Sequence, residues 1–340
     1  MQGNSRRRIM SGRILVTGGA GFIGCHLGRR LAAEGYKVDL LDNFSRGVRD
    51  DELRDLSEDA NVDLVDADLL RTGALDGGRR DYGHIVHLAA IIGVVHVQER
   101  PYEVLRDNVD MLDRVIRLAR AQHRLERLVF ASTSEVYAGT LEHFDLPVPT
   151  PEHTPIALTN LDRPRTSYML SKLYGEAMCQ HSALPCTIVR PHNIYGPRMG
   201  LAHVIPELLQ RAYRAEDGGE LEVYSVDHRR SFCFIDDAVE MLVRMLERPA
   251  CAGRTLNLGR QAPEVSIREV AETCVAATGK ALAIVPRPAT PGSPARRAPD
   301  MTLTRSLIEY EPQVDLTDGV ARTFAWYRRH VFSGSGVSAR

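Results

Sequence analysis

The sequence predicts an α/β protein: a doubly wound parallel sheet followed by a smaller C-terminal α/β domain. Three observations predict it. From residue 13 to Gly196, short apolar runs alternate with longer amphipathic stretches, as strands joined by helical crossovers do. A glycine-rich turn, TGGAGFIG (17–24), lies between the first apolar run and the first amphipathic stretch. Beyond Gly196 the alternation gives way to helical stretches mixed with short strands.

RILVTGG (13–19) reads as a buried strand. GFIGCHLGRRLAAEG (21–35) reads as a helix, because Phe22, Leu27 and Leu31 fall near one stripe and Gly35 ends it. KVDLLDN (37–43), VDLVDADL (62–69) and HIVHLAA (84–90) supply the second, third and fourth strands. Residues 101–122 form a long helix opened by Pro101 as a first-turn residue. RLVFASTS (127–134) is the fifth strand, residues 167–183 are a helix, and CTIVRPHNIYG (186–196) is the sixth strand running into a loop. Helices are expected over 204–215, 236–248 and 266–278, with strands at LEVYS (221–225) and TLNLG (255–259), the latter returning to the main sheet. The proline-rich stretch 285–299 reads as an extended surface loop. The expected plan is a tail over 1–12, a nucleotide-binding domain over 13–190 to which 232–262 returns, a smaller domain from 191–231 and 263–330, and a second tail over 331–340.

The bulk properties narrow the function. A net charge of −1 gives no nucleic-acid footprint, so an anionic ligand must be held by local groups. The six cysteines (25, 179, 186, 233, 251 and 274) form no C-x-x-C pair and read as core residues of a reducing compartment, the cytoplasm. No apolar run reaches the roughly 20 residues that span a bilayer, and the basic N-terminal residues precede no apolar segment. His84 and His87 are three apart on a strand and so point to opposite faces, which argues against a shared metal. No metal is expected.

The glycine loop carries the first chemistry. Gly18 allows a tight turn, Gly21 lets the backbone approach a pyrophosphate, and Gly24 lets helix and strand pack closely. The helix start adds N–H donors and a positive dipole end. A glycine-rich turn with no ligand is the plainer reading. Asp42, 18 residues beyond Gly24 at the end of the second strand, argues against it. A carboxylate there accepts from both hydroxyls of an adenosine ribose and repels a 2′-phosphate, which favours NAD over NADP. Arg46 nearby is the one residue that would suit NADP. A Rossmann-type domain follows.

YMLSK carries the second. Tyr168 and Lys172 are one helical turn apart and share a face. A nearby ammonium favours the phenolate, which makes a phenol usable as a base near neutral pH. Such a pair also occurs on helices with no chemical role.

Together TGGAGFIG (17–24), LDNFSRG (41–47), ADL (67–69), HLAA (87–90), STSEVY (132–137), YMLSK (168–172), RPHNIYGPR (190–198) and RRSFCFIDDAVE (229–240) resemble the extended short-chain dehydrogenase/reductases, in their nucleotide-sugar epimerase, dehydratase and decarboxylase group. The resemblance implies NAD as cofactor, held by Gly18, Gly21, Phe22, Ile23, Gly24, Asp42, Asn43, Arg46, Asp68, Leu69, Leu88, Ala89, Ala90, Asn108, Tyr168 and Lys172. It implies Tyr168 as base, Thr133 bonded to the reacting sugar oxygen, and Lys172 on the nicotinamide ribose. Ser134 and Glu135 join the catalytic set. Asn193, His203, Val204 and Arg230 would meet a nucleotide-sugar substrate, although Asn193 could equally cap a turn, Arg230 form a surface ion pair, and His203 serve packing. The group also implies a homodimer through a four-helix bundle, with no membrane or nucleic-acid partner.

The shared first step is C4 oxidation to a 4-keto sugar, from which epimerisation, loss of carbon dioxide or loss of water can follow. Dehydratases of the group carry an acid where this chain has Ser134, which disfavours loss of water. STSEVY and GPRM (196–199) resemble UDP-glucuronate decarboxylases, whereas HLAAIIGV (87–94) looks more like epimerases. Glu135 could act at C5, anchor substrate, or be structural. The reading preferred from sequence is a 4-epimerase, with UDP-glucuronate decarboxylase as the alternative. A dehydratase, or a non-catalytic NAD-binding scaffold, ranks behind both; a scaffold of this kind usually loses the Tyr or the Lys.

Overall fold

The computed structural model describes residues 12–333, apart from 72, 74, 76–78 and 290–293. The tails expected at 1–12 and 331–340 therefore fall largely outside the described residues.

The strands are β1 (Arg13–Thr17), β2 (Val38–Asp42), β3 (Val62–Asp66), β4 (Tyr82–His87), β5 (Arg127–Ala131) and β6 (Cys186–Pro191). Arg254–Leu258 joins β6 in parallel, so the expected return to the main sheet is present. The order across the sheet is Arg254–Leu258, β6, β5, β4, β1, β2, β3. Every neighbouring pair is parallel. The order reverses between β1 and β4, where successive crossovers leave to opposite faces and open a crevice at the strand ends.

Alternation along the strands makes the two layers. Ile14, Val16, Val86 and Val129 pack in one core with Leu27 and Leu31 of helix α1 (Phe22–Ala33) and with the helix Ile235–Glu247. Leu15, Ile85, Leu128 and Phe130 pack in the other core, with Leu112 and Val115. Those two residues lie on α4 (Pro101–Arg120), which follows the short helices α2 (Asp51–Ser57) and α3 (Val94–Glu99). Next come α5 (Ala138–His143) and α6 (Pro164–His181), and α6 lies against α4. Gly175 permits that approach, since a Cβ there would come within 2.5 Å of Phe130 Cζ and 2.9 Å of Leu112 Cδ2.

The second unit is built on Glu220–Tyr224 paired in parallel with Ala283–Arg287, with the helices Val204–Arg214, Ile267–Thr278 and Leu316–Tyr327 packed together. The proline-rich stretch is not a plain surface loop. Pro286 sits inside a strand, Arg296–Arg297 pairs with Arg229–Arg230, and Ala298 is buried. Both strands are short and paired at an edge, where a missing N–H is tolerated.

All six cysteines are buried and free. No helix among the described residues is long and apolar enough to cross a membrane.

Candidate active site

The crevice begins at the β1–α1 turn. Gly18 has φ +72°, and a Cβ there would sit 2.9 Å from the Ala89 amide nitrogen. At Gly24 a Cβ would fall 2.1 Å from the Gly18 carbonyl oxygen. Gly24→Ala is therefore expected to lower stability by about 3 kcal/mol, at the upper end of overpacking costs because the obstacle is backbone. Chemical denaturation measures it, and a change inside about 0.5 kcal/mol, the range of an ordinary surface substitution, would contradict the close packing. At Gly21 a Cβ would meet only the Gly18 oxygen, at 3.1 Å, and otherwise open space. Gly21 caps α1 without a side-chain acceptor, and the first turn, containing Phe22 and Ile23, holds no acid. Such a helix start is suited to an anion.

Asp42 ends β2 and is buried. Its Oδ2 accepts from the Ala20 amide (3.0 Å) and its Oδ1 from the Phe44 amide (2.8 Å). Burial pushes its pKa up, and those two N–H donors pull it back. Each oxygen keeps a lone pair for a further donor. Gly47, not singled out from sequence, is required beside it: a Cβ there would lie 2.8 Å from Asp42 Oδ1. Arg198, also missed, pins the turn from behind. It pairs with Asp50 (2.7 Å) and reaches the Ala20 and Gly21 carbonyl oxygens (both 3.4 Å). The glycine cradle, the bare helix start and the acid fit a dinucleotide.

The other expected cofactor residues lie at varied places. The Leu88 amide donates to the Thr17 carbonyl (3.1 Å), so 88–90 runs beside the glycine turn. Leu69 is buried in the α4 layer, and Asp68 accepts from the Leu70 amide (2.9 Å). Asn43 is exposed and accepts from the Ser45 amide (3.0 Å). Asn108 is buried in α4, its Oδ1 accepting from the Ile91 amide (2.7 Å) and its Nδ2 donating to Ile91 O (3.1 Å) and Ser171 Oγ (3.2 Å). Its amide holds the loop after β4. The Arg46 charge acts on Tyr168, which it favours as phenolate, and on His203, whose pKa it lowers.

Tyr168 and Lys172 lie on the buried face of α6. The Thr133 hydroxyl acts on the Tyr168 phenol and favours its ionisation. Burial holds the phenol above its ordinary pKa, the Glu135 carboxylate adds to this, and Thr133 and Arg46 oppose it. Lys172 donates to the Ala131 carbonyl (2.8 Å), with its ammonium 5.8 Å from the Tyr168 ring centroid. Burial lowers its pKa to about 8. Thr133 caps a 3-10 turn, Ser134–Tyr137, by accepting from the Glu135 amide (3.2 Å). Ser134 is buried in that turn, and Glu135 is half-buried, 3.5 Å from Arg165.

Within electrostatic reach of Glu135 lies Arg297. Burial lowers its pKa, Glu135 raises it and Arg165 lowers it again. Among the described residues, no hydrogen bond or ion pair holds this guanidinium. Sequence patterning gave no sign of it; only the pairing of Arg297 with Arg230 brings it here. Arg230 is buried, donates to the Arg229 and Pro294 carbonyls (2.8 and 2.6 Å), and is pushed down to about 10 by burial and by Arg297. Asn193, at φ +42°, donates to the Ser231 carbonyl (3.0 Å). With His203, Val204 and Phe232 it lines a small cavity. His87 is kept neutral, pushed down to about 3 by burial and Lys172, and shares a 2.7 Å hydrogen bond with Thr17. Among the described residues, no group of three metal-ligating side chains occurs.

Residues 14–259 match the NAD dependent epimerase/dehydratase family. The chain belongs to that family. It is thus an NAD-dependent enzyme of the epimerase/dehydratase type. Among curated members, a UDP-N-acetyl-alpha-D-glucosaminuronate decarboxylase of Bacillus cytotoxicus is 32% identical, over 94% of this chain and 98% of that protein. A UDP-glucose 4-epimerase of Mycolicibacterium smegmatis is 31% identical, over 93% and 98%. Among solved structures, the epimerase Mth375 of Methanothermobacter thermautotrophicus superposes with a TM-score of 0.82 at 27% identity, covering 95% of this chain and 94% of that one. The epimerase/dehydratase family therefore includes decarboxylases among the relatives of this chain, and the reaction has to be argued from the site.

Proposed function

We propose that this enzyme decarboxylates a nucleotide-linked hexuronate through a 4-keto sugar. One feature carries the reading: Arg297, half-buried and with its guanidinium held by no hydrogen bond or ion pair among the described residues, lies within electrostatic reach of Glu135, whose charge also acts on Tyr168. A partly desolvated cation gains most from an anion that meets it. The C6 carboxylate of a hexuronate is that anion.

Tyr168 takes the C4 hydroxyl proton, with Thr133 bonded to the same oxygen. NAD, held by the glycine turn and Asp42, takes up and returns the C4 hydride when bound. The C4 ketone then stands beta to the C6 carboxylate. As the C5–C6 bond breaks, its electron pair flows through C5 to make the enolate of the C4 ketone, stabilised by the hydroxyls of Tyr168 and Thr133. C5 then takes a proton from water, and return of hydride to C4 and of the Tyr168 proton to the C4 oxygen gives the pentose. Carbon dioxide leaves without needing an acid at C6, which is why Ser134 suffices where a dehydratase needs a stronger acid. Arg297 orients the carboxylate, and Glu135 disfavours a second negative charge beside it, favouring its loss as neutral carbon dioxide. Arg230 and Asn193 are assigned to the substrate pyrophosphate, as the family resemblance implies.

This differs from the 4-epimerase preferred on sequence alone. A 4-epimerase of a nucleotide hexose or hexuronate is the second reading, favoured by the 87–94 segment and by the Mycolicibacterium relative, named as a UDP-glucose 4-epimerase. Incubation with UDP-glucuronate, UDP-N-acetylglucosaminuronate and UDP-glucose, followed by mass spectrometry and NMR of the products, separates the readings. A nucleotide pentose with released carbon dioxide is expected. Unchanged mass with inverted C4 would replace the reading with an epimerase, and loss of water would overturn both.

A further inference from the structure

Tyr168, Lys172 and Glu176 follow one another at four-residue spacing along α6, and all three are buried. The chemistry above uses the first two. It leaves unused Glu176, Arg190 at the head of RPHNIYGPR, and Tyr137 at the end of STSEVY, yet these three are joined. Arg190, on β6, grips both oxygens of Glu176, Nε to Oε1 at 2.9 Å and Nη2 to Oε2 at 2.6 Å. Ser132, the residue before Thr133, donates to Glu176 Oε1 at 2.5 Å. Arg190 Nη1 donates to the Tyr137 hydroxyl at 2.6 Å and to the Glu152 carbonyl at 3.0 Å. Both ends of segment 132–137, which carries Thr133, Ser134 and Glu135, thus hang from one ion pair rooted in the helix of Tyr168.

We propose that the Glu176–Arg190 pair is a positioning device that sets Thr133 and Glu135 against Tyr168. A buried ion pair is a poor source of stability, since an apolar pair of similar volume often does as well or better. What it adds is direction: a bidentate guanidinium–carboxylate contact is planar, and its outer hydrogen bonds reach fixed points. The segment it holds needs such support, because a single 3-10 turn has poor hydrogen-bond geometry of its own. Displacing a reacting group by about 1 Å costs on the order of 10²-fold in rate.

The inference rests on the C4 oxidation in the proposed function, whatever the final product. It is tested in the NAD-loaded protein by two readouts. The first is the rate of the transient NADH absorbance after adding UDP-glucuronate or UDP-glucose. The second is amide hydrogen exchange over residues 133–137 without substrate. Ser132→Ala and Tyr137→Phe each remove one hydrogen bond to the ion pair, the latter also a long one to the Pro151 carbonyl (3.4 Å), and are expected to slow the NADH phase about tenfold, with faster exchange in the turn and little change in melting temperature. The double variant E176L/R190L should melt near the wild type yet lose about 10²-fold in rate, with KM within about threefold. Wild-type rates and protection in Ser132→Ala and Tyr137→Phe, or recovery of rate together with melting temperature in the double variant, would show a structural pair only and overturn the proposal. Failure of the functional reading looks different: the wild type gives no NADH signal, while the exchange contrast between wild type and variants persists.

Discussion

Tyr168→Phe is expected to reduce turnover by about 10²–10⁴-fold, the usual worth of a positioned general base, while the folded protein still carries NAD. The ring is buried beside Val97 and Val104, so phenylalanine keeps the packing. Only the hydroxyl is lost, and with it the interaction with the Thr133 hydroxyl. The stability cost should be about 1 kcal/mol. Product formation and the cofactor content of the purified protein are measured together. Turnover within a few-fold of wild type would remove Tyr168 from the role of base, and loss of NAD along with activity would mean that the hydroxyl serves binding instead. The acidity of this phenol makes the test sharp. Burial and Glu135 both disfavour the phenolate, so a base function here depends on the opposing influence of Thr133 and Arg46 and on cationic charge brought near.

Arg297→Met is expected to have the next largest effect, and a selective one. Removing one partner of a desolvated charge pair typically costs about 2–5 kcal/mol, which corresponds to roughly 30- to several-thousand-fold in kcat/KM for a nucleotide hexuronate. The affinity for UDP-glucose, which has no carboxylate, should change by less than about threefold, well under 1 kcal/mol. Steady-state kinetics with the hexuronate and competition by UDP-glucose give both numbers. Equal losses for the two ligands would place Arg297 on the pyrophosphate rather than on C6 and would withdraw the main support for decarboxylation.

Much of the fold could be read from the chain because it is written in near neighbours. The glycine turn needs a positive φ at Gly18 and no side chain at Gly24, and both are local requirements met within eight residues. Alternation in RILVT and helical spacing in 22–33 say which faces are covered before any partner is known. Tyr168 and Lys172 share a face for the same reason, and Glu176 could have been found by extending that stripe one more turn. Where reading failed, the deciding contact was distant. The stretch 285–299 read as a loop because its prolines lack donors, yet edge pairing with Glu220–Tyr224 and Arg229–Arg230 makes strands of residues 285–287 and 296–297.

From the sequence alone came the parallel sheet, the dinucleotide turn with its acid, and the pairing of a phenol with an ammonium on one helical face. These follow from backbone sterics and from periods of two and 3.6 residues, which act over one or two turns of chain. Tertiary structure alone decided where the charges point. It set Lys172 on the Ala131 carbonyl, and brought Arg46 within electrostatic reach of Tyr168 and His203, and Arg297 within that of Glu135. The physical reason is that Coulomb energy depends on distance and burial in space, and folding brings together groups that lie far apart along the chain.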